Sequence, residues 1–123
     1  MPVVRFLDNM TLVSKYDTPV TITTDPYPLG GQNFGALVAN VEVVDVTGGA
    51  PDLQLLCEVS NDGRNFDTYG DLQPGVLTSG LNQLNAAVPF AFIRFEVYLN
   101  CTGGGAGDMV WATLDLHVNF THS

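Results

Sequence analysis

The chain has 123 residues, of which 46% are hydrophobic and only 14% charged, and its formal charge is −9. That length buries roughly two-thirds of the unfolded surface, so one domain over residues 1–123 is expected, its surface built from Thr, Asn, Ser, Gln and Gly. Its four basic residues, Arg5, Lys15, Arg64 and Arg94, are scattered. Nucleic acid and anionic membranes both recruit clustered Lys and Arg, so neither is expected as a partner, whereas a basic protein surface would be complementary.

The N-terminus, Met1–Asp8, lacks the basic start and long apolar run of a signal peptide, and no stretch reaches transmembrane length. Strands are predicted over Val3–Leu7, Thr11–Ser14 and Val20–Thr24. Asp25-Pro26-Tyr27-Pro28 cannot continue an interior strand, because proline lacks the donor. Leu29–Gly35 is a loop of Gly, Gln and Asn. Ala36–Val46 is a strand whose alternation shifts phase near Val43–Asp45, predicting a β-bulge there. Gly48-Gly49-Ala50-Pro51 turns into a strand over Leu53–Ser60. Asn61-Asp62-Gly63-Arg64 predicts a tight hairpin, since Asp-Gly tolerates positive φ. Asn65–Tyr69 is the next strand, Asp71–Gly80 a loop, and Gln83–Val88 another strand.

The clearest pattern lies in Pro89–Leu99 and Met109–Phe120, two long strands joined through Gly103–Gly107. In the first, Ala91, Ile93, Phe95, Val97 and Leu99 share one face, and Phe92, Arg94, Glu96 and Tyr98 the other. In the second, Val110, Ala112, Leu114, Leu116, Val118 and Phe120 oppose Met109, Trp111, Thr113, Asp115, His117 and Asn119. Strict two-residue alternation marks strands with one buried face. No helix is predicted. About eight or nine strands with long connections fit an all-β, antiparallel sandwich of jelly-roll type.

Leu53–Phe66 reads LQLLCEVSNDGRNF, and Phe90–Leu99 reads FAFIRFEVYL. Together these segments resemble the discoidin, or galactose-binding-like, jelly roll, in which a Ser-x-Asp-Gly hairpin precedes an aromatic-Ile-Arg strand. Similar hairpins occur in jelly-roll virion proteins of bacteriophages, of the decoration or minor capsid type. Phe66 stands where the discoidin pattern has Trp, and the terminal cysteine pair of that family is absent. The family's binding loops therefore do not map onto positions here. The resemblance implies the fold and, beyond it, a binding or assembly role.

Trp111, Tyr98, Phe92 and His117 are the candidate interface residues. If the last two long strands pair, their outward aromatics form one patch. Such a patch anchors a protein interface, stacks on a sugar ring, or is covered by the chain itself. Asn61, Asp62, Asn65 and Asp67, with Asp71 nearby, are oxygen-rich enough for a ligand or calcium loop. Their spacing is not that of an EF-hand, and turn chemistry accounts for the first three. His117 beside Asp115 could orient a general base, but no Ser or Cys nucleophile is identifiable nearby, and His122 is at the chain end. The Gly103–Gly107 run leads into a strand and no Lys follows, so it is read as a loop tip and not as a phosphate cradle.

Cys57 and Cys101 read as two separate buried thiols, with a disulfide left open by the sequence. Zinc would need four close ligands; no metal or other cofactor is expected. The three Asn-x-Thr patterns, at Asn9, Asn100 and Asn119, read as chance in an Asn- and Thr-rich chain without a signal peptide.

These observations favour a non-enzymatic virion protein that decorates or cements a capsid, or a related assembly module. It would be made in the host cytoplasm, form homo-oligomers and dock through protein contacts. The alternative is a carbohydrate-binding module of galactose-binding-like type.

Overall fold

The computed structural model describes residues 3–45, 50–103, 105 and 107–121, residues 43–45 by their backbone alone. The expected turn at 48–49, the end of the strand at Val46, positions 104 and 106 of the glycine loop, and His122 lie outside these residues. Ten strands follow in chain order: β1 (Val3–Lys15), β2 (Val20–Thr23), β3 (Tyr27–Pro28), β4 (Phe34–Asp45), β5 (Pro51–Ser60), β6 (Asp67–Thr68), β7 (Gly75–Val76), β8 (Gly80–Ala87), β9 (Phe92–Cys101) and β10 (Met109–Thr121). A short 3-10 turn at Gly70–Leu72 sits between β6 and β7.

The strands form two antiparallel sheets. One has four strands in the order β1-β10-β4-β8. The other has six, with β2-β9-β5-β6 as its main path, β3 on β9 and β7 on β5. The chain passes from one sheet to the other between β1 and β2, β3 and β4, β4 and β5, β7 and β8, and again on either side of β9. This wrapping makes the first and last strands neighbours and is the jelly-roll architecture.

The alternation explains the core. In β9, Ile93, Phe95, Val97, Leu99 and Cys101 are buried, and in β10 so are Val110, Ala112, Leu114, Leu116, Val118 and Phe120. The inner faces of β4, with Leu37, Ala39 and Val41, and of β5, with Leu53, Leu55, Cys57 and Val59, close the same layer. An aromatic cluster spans both sheets: the Phe6 ring of β1 meets Phe95 edge-on at 4.9 Å, and Tyr27 of β3 stacks on Phe120 at 5.4 Å. Among the described residues Ser14 and Ser60 are the buried polar ones, and the Ser14 Oγ is satisfied. It donates to the Thr18 carbonyl at 2.7 Å and accepts the Cys101 N–H at 3.1 Å.

Several expectations need correction. The two N-terminal strands are one strand, β1, with register irregularities between Arg5 and Leu7 and between Leu7 and Met10; Asn9 there has φ 48. The bulge expected near Val43–Asp45 is absent, for β4 pairs with β10 without interruption from Phe34 to Asp45. Physically, β10 holds β4 in register along its whole length, whereas β1 is an edge strand with one neighbour and can absorb extra residues. The expectation that Asp25–Pro28 forms no interior strand holds: Tyr27–Pro28 is only a short edge piece on β9, where proline is tolerated. Within the expected loop at 71–80, the Gly75–Val76 segment pairs with β5.

The Asn61–Arg64 turn is not a tight hairpin. The ladder resumes only at Val59↔Asp67, because side chains organise the chain between them. The most consequential difference concerns the last two long strands. β9 and β10 lie in different sheets and do not pair.

Candidate functional site

Because β9 and β10 belong to opposite sheets, their outward residues face opposite ways. Trp111 and His117 stand on the outer face of the four-stranded sheet, Tyr98 and Phe92 on that of the six-stranded sheet. The single aromatic patch expected from sequence is therefore two separate surfaces.

On the four-stranded sheet, Trp111 sits on the central strand β10, between Val13 of β1 and Val44 of β4 in register. Thr113, Asp115, His117 and Asn119 continue this row, all partly buried. Asp115 is held by Arg5, whose Nη1 donates to Oδ1 at 2.7 Å. Arg5 also lies 3.6 Å from Asp8. The Asp115–His117 pairing that general-base chemistry would need is not formed. Instead, Nδ1 of His117 and Oδ1 of Asn119 are buried atoms without a hydrogen-bond partner. These two atoms lie two residues apart on one face, and buried polar atoms of this kind are normally satisfied by water or a partner. Val3 and Val13 of β1 and Leu81 of β8 add exposed apolar surface, at 60%, 50% and 62% exposure.

On the six-stranded sheet, the row Phe92, Arg94, Glu96, Tyr98 and Asn100 is flanked by Glu58 and Gln54 of β5 and Thr21 of β2. Nε of Arg94 donates to Glu58 at 2.9 Å, and its guanidinium lies 4.0 Å over the Phe66 ring. Tyr98 stands between Thr21 and Gln54 in register. Asn100 Oδ1, at the far end of β9, is an isolated buried atom without a partner. Asp52, Glu58 and Glu96 against Arg94 make this face acidic, whereas on the outer side of the other sheet Arg5 and Lys15 stand against Asp8, Glu42 and Asp115, a smaller excess of negative charge.

The loop of Asn61, Asp62, Asn65 and Asp67 is organised by Ser60 and Asp62. Oδ1 of Asp62 accepts the N–H groups of Arg64 at 2.8 Å and Asn65 at 2.9 Å, and the Ser60 hydroxyl at 2.8 Å. Its Oδ2 accepts Asn65 Nδ2 at 2.7 Å. Ser60 Oγ in turn accepts the Gly63 N–H at 3.0 Å. The Asn65 and Arg64 backbone bonds, in that order, hold the Asp62 carboxyl well below the usual carboxylate range. Gly63, at φ +77, lies so close to the Phe92 ring that a Cβ would meet it at 3.3 Å, so glycine serves both the turn and the packing. Asn61 Oδ1 accepts the Ala91 N–H at 3.3 Å and ties the loop to the start of β9. Asp67 is exposed on β6. The Asp62 oxygens are thus committed to the turn. Among the described residues, no group of three or more His, Cys, Asp and Glu is placed to hold a metal ion.

Cys57 and Cys101 are both buried, and no disulfide joins them. Burial, with Glu58 adjacent, pushes the Cys57 thiol up to about 12, so it stays protonated and unreactive at neutral pH. Sequence reasoning missed two features. One is the open edge of β8, which was legible as an uncharged run without proline over Gly80–Ala87. The other is a groove of about 420 Å3 between β1 and β2, lined by Val4, Phe6, Met10, Ile22, Asp25 and Tyr27. It depends on the packing of two sheet edges, for which no local signal exists.

The fold defines the class: an antiparallel β-sandwich of jelly-roll type. No family model matches the chain, and no curated protein matches it significantly. Among solved structures it is similar to VP2 of infectious bursal disease virus. With the VP2 subviral particle the TM-score is 0.67 at 20% identity, over 98% of this chain and 32% of that one. With VP2 of the T13 particle it is 0.64 at 24% identity, over 98% and 30%. The chain thus spans about a third of the VP2 chains, and the likeness establishes a viral-capsid-type jelly roll as its fold. A carbohydrate-binding module in complex with calcium and xylotriose matches at a TM-score of only 0.34 and 12% identity, over 98% of this chain and 100% of that one, too remote to bear on ligands.

Proposed function

We propose that this chain is a non-enzymatic virion structural protein, a capsid decoration or cement module or a related assembly domain. It acts through contacts with copies of itself and with a capsid shell. The observation that carries the reading is the jelly-roll wrap, shared over 98% of the chain with a capsid protein. The uneven satisfaction of the two outer faces supports it. The face of Trp111, His117 and Asn119 is nearer neutral than the other and carries a central aromatic and unpartnered buried polar atoms, features that suit a contact surface. Tyr98 and Phe92 belong to the acidic face, which suits a basic region of the shell. The bacteriophage origin implied by the hairpin resemblance has no separate support, since the similar particles are those of infectious bursal disease virus.

Antibodies raised against the chain test this reading. Virions purified from cells that make the chain should carry the label; label confined to the soluble fraction sinks the proposal. Trp111→Ala should reduce the particle-bound fraction by roughly 30-fold in apparent affinity, as for a central aromatic anchor. Its melting temperature should change little by comparison, because Trp111 lies outside the core.

A further inference from the structure

β8 is the last strand on its side of the four-stranded sheet. It pairs with β4 in unbroken register from Phe34↔Ala87 to Val41↔Gly80 and, among the described residues, with no other strand. In an antiparallel pair, alternate residues turn their N–H and C=O groups toward the neighbour. Val88 N–H donates to the Asn33 carbonyl at 2.7 Å, which fixes the alternation. Asn82, Leu84 and Ala86 direct their backbone groups to β4; Leu81, Gln83, Asn85 and Ala87 direct theirs to the open side. The Ala87 carbonyl accepts the Tyr69 hydroxyl. The backbone groups of Leu81, Gln83 and Asn85 remain along the edge.

Sheet edges in soluble proteins are normally guarded by charge, proline, bulges or shortness. The other edges here have such guards. β1 carries Arg5, Asp8, Lys15 and its register irregularities. β2 has four residues and runs into Asp25-Pro26, and β6 and β7 have two residues each. β8 has eight residues, GLNQLNAA, with no charge, proline or bulge, and Leu81 on it is 62% exposed.

We propose that β8 is an association site for a second copy of this chain, the two β8 strands pairing antiparallel about a two-fold axis at Gln83. The edge groups themselves commit it to a copy. With the axis at Gln83, this residue faces Gln83 of the second copy, and Leu81 faces Asn85 of the second copy. Every open N–H and C=O of the three edge residues then meets its complement, as an isologous contact requires. The Gln83 and Asn85 amides each carry both donors and an acceptor, so they too are self-complementary. On a chain of charge −9, an uncharged strand is where two copies approach with least repulsion. The four-stranded sheet then runs on into its copy. This inference rests on the edge alone and stands apart from the virion reading.

The test is the solution mass of the full chain across a concentration series, by size exclusion with light scattering. The wild type should be a dimer. Gln83→Pro should be a monomer with an unchanged circular dichroism spectrum, since the lost N–H points away from β4 and proline is tolerated on an open edge. Gln83→Lys, which disturbs the backbone least, should weaken the dimer by about 10-fold or more. Under mild oxidation Gln83→Cys should crosslink to its copy, because directly opposed hydrogen-bonded residues lie about 5.5 Å apart, within disulfide reach. Leu81→Cys alone should not crosslink. A wild-type monomer at the highest soluble concentration overturns the proposal, as does an oligomer that neither Gln83→Pro nor Gln83→Lys weakens. Should Gln83→Pro fail to fold, Gln83→Lys and the crosslink decide. A weakened dimer without the Gln83→Cys crosslink overturns the axis.

Discussion

On the six-stranded sheet, Arg94 is gripped from two sides, by Glu58 at 2.9 Å and by the Phe66 ring at 4.0 Å, and the neighbouring Asp62 turn is saturated by its own loop. On the four-stranded sheet, the equivalent cation Arg5 reaches Asp115 from a more exposed position, 52% against 30% for Arg94. Beyond that bridge, His117 Nδ1 and Asn119 Oδ1 are left without partners. Both faces cover the same core. A face whose polar groups are closed by the chain itself is complete as a surface, whereas buried atoms left open require water or a partner. The six-stranded face is not fully closed, for Asn100 Oδ1 is open at its far end, so the contrast is one of degree: a single open atom there against two in one row on the four-stranded face.

The largest effect expected is loss of what the faces share. Phe95 is fully buried on β9 and packs on Phe6 of β1, across the two sheets. Phe95→Ala should cost about 3–5 kcal/mol. Urea unfolding followed by Trp111 fluorescence reports the four-stranded sheet, and circular dichroism reports both. The two transitions should move together to lower urea. Separate transitions would mean that the sheets, and so their faces, are independent units.

The next test acts on the contrast itself. Arg94→Ala should cost about 1–2 kcal/mol, because it removes a partly buried ion pair and a cation–π contact at once. Arg5→Ala should cost about 0–1 kcal/mol, since that bridge is more exposed and easily hydrated. Urea midpoints of the two variants check the order. A greater loss from Arg5→Ala would make the four-stranded face the better closed of the two.

How much of this was legible in the sequence depends on the range of the interaction. Alternation in 92–101 and 109–121 correctly separates inside from outside, because side-chain parity is a local property of the strand. It does not say which strand lies alongside. A Gly-rich connection serves a hairpin and a crossover between sheets equally well, so Tyr98 and Trp111 look like neighbours and are not. The Asp-Gly turn was legible, but the loop is wider than the dipeptide implies, since Ser60 and Asp62 replace ladder bonds with side-chain ones. The Val43-Val44 phase change looked like a bulge; pairing with β10 along all of β4 overrides it. The unpartnered atoms of His117 and Asn119 had no signal in sequence, because their burial depends on the side chains of adjacent strands.

The smallest effect concerns the better closed face and is local. Asp62 is exposed, yet it accepts the Asn65 and Arg64 N–H groups, which hold its pKa below the ordinary carboxylate value. For a group depressed on folding, its contribution is present above the unfolded value, about 3.9 for Asp, and is lost as pH falls through the folded value. The Arg64 and Asn65 amide resonances should therefore hold their positions from neutral pH through the ordinary carboxylate range and move only in stronger acid. In Asp62→Asn this strongly acidic transition should disappear. A midpoint at the ordinary Asp value in the wild type would show that the Asp62 bonds are not maintained in solution. The loop would then be open to outside ligands, and the six-stranded face would be no better closed than the four-stranded one.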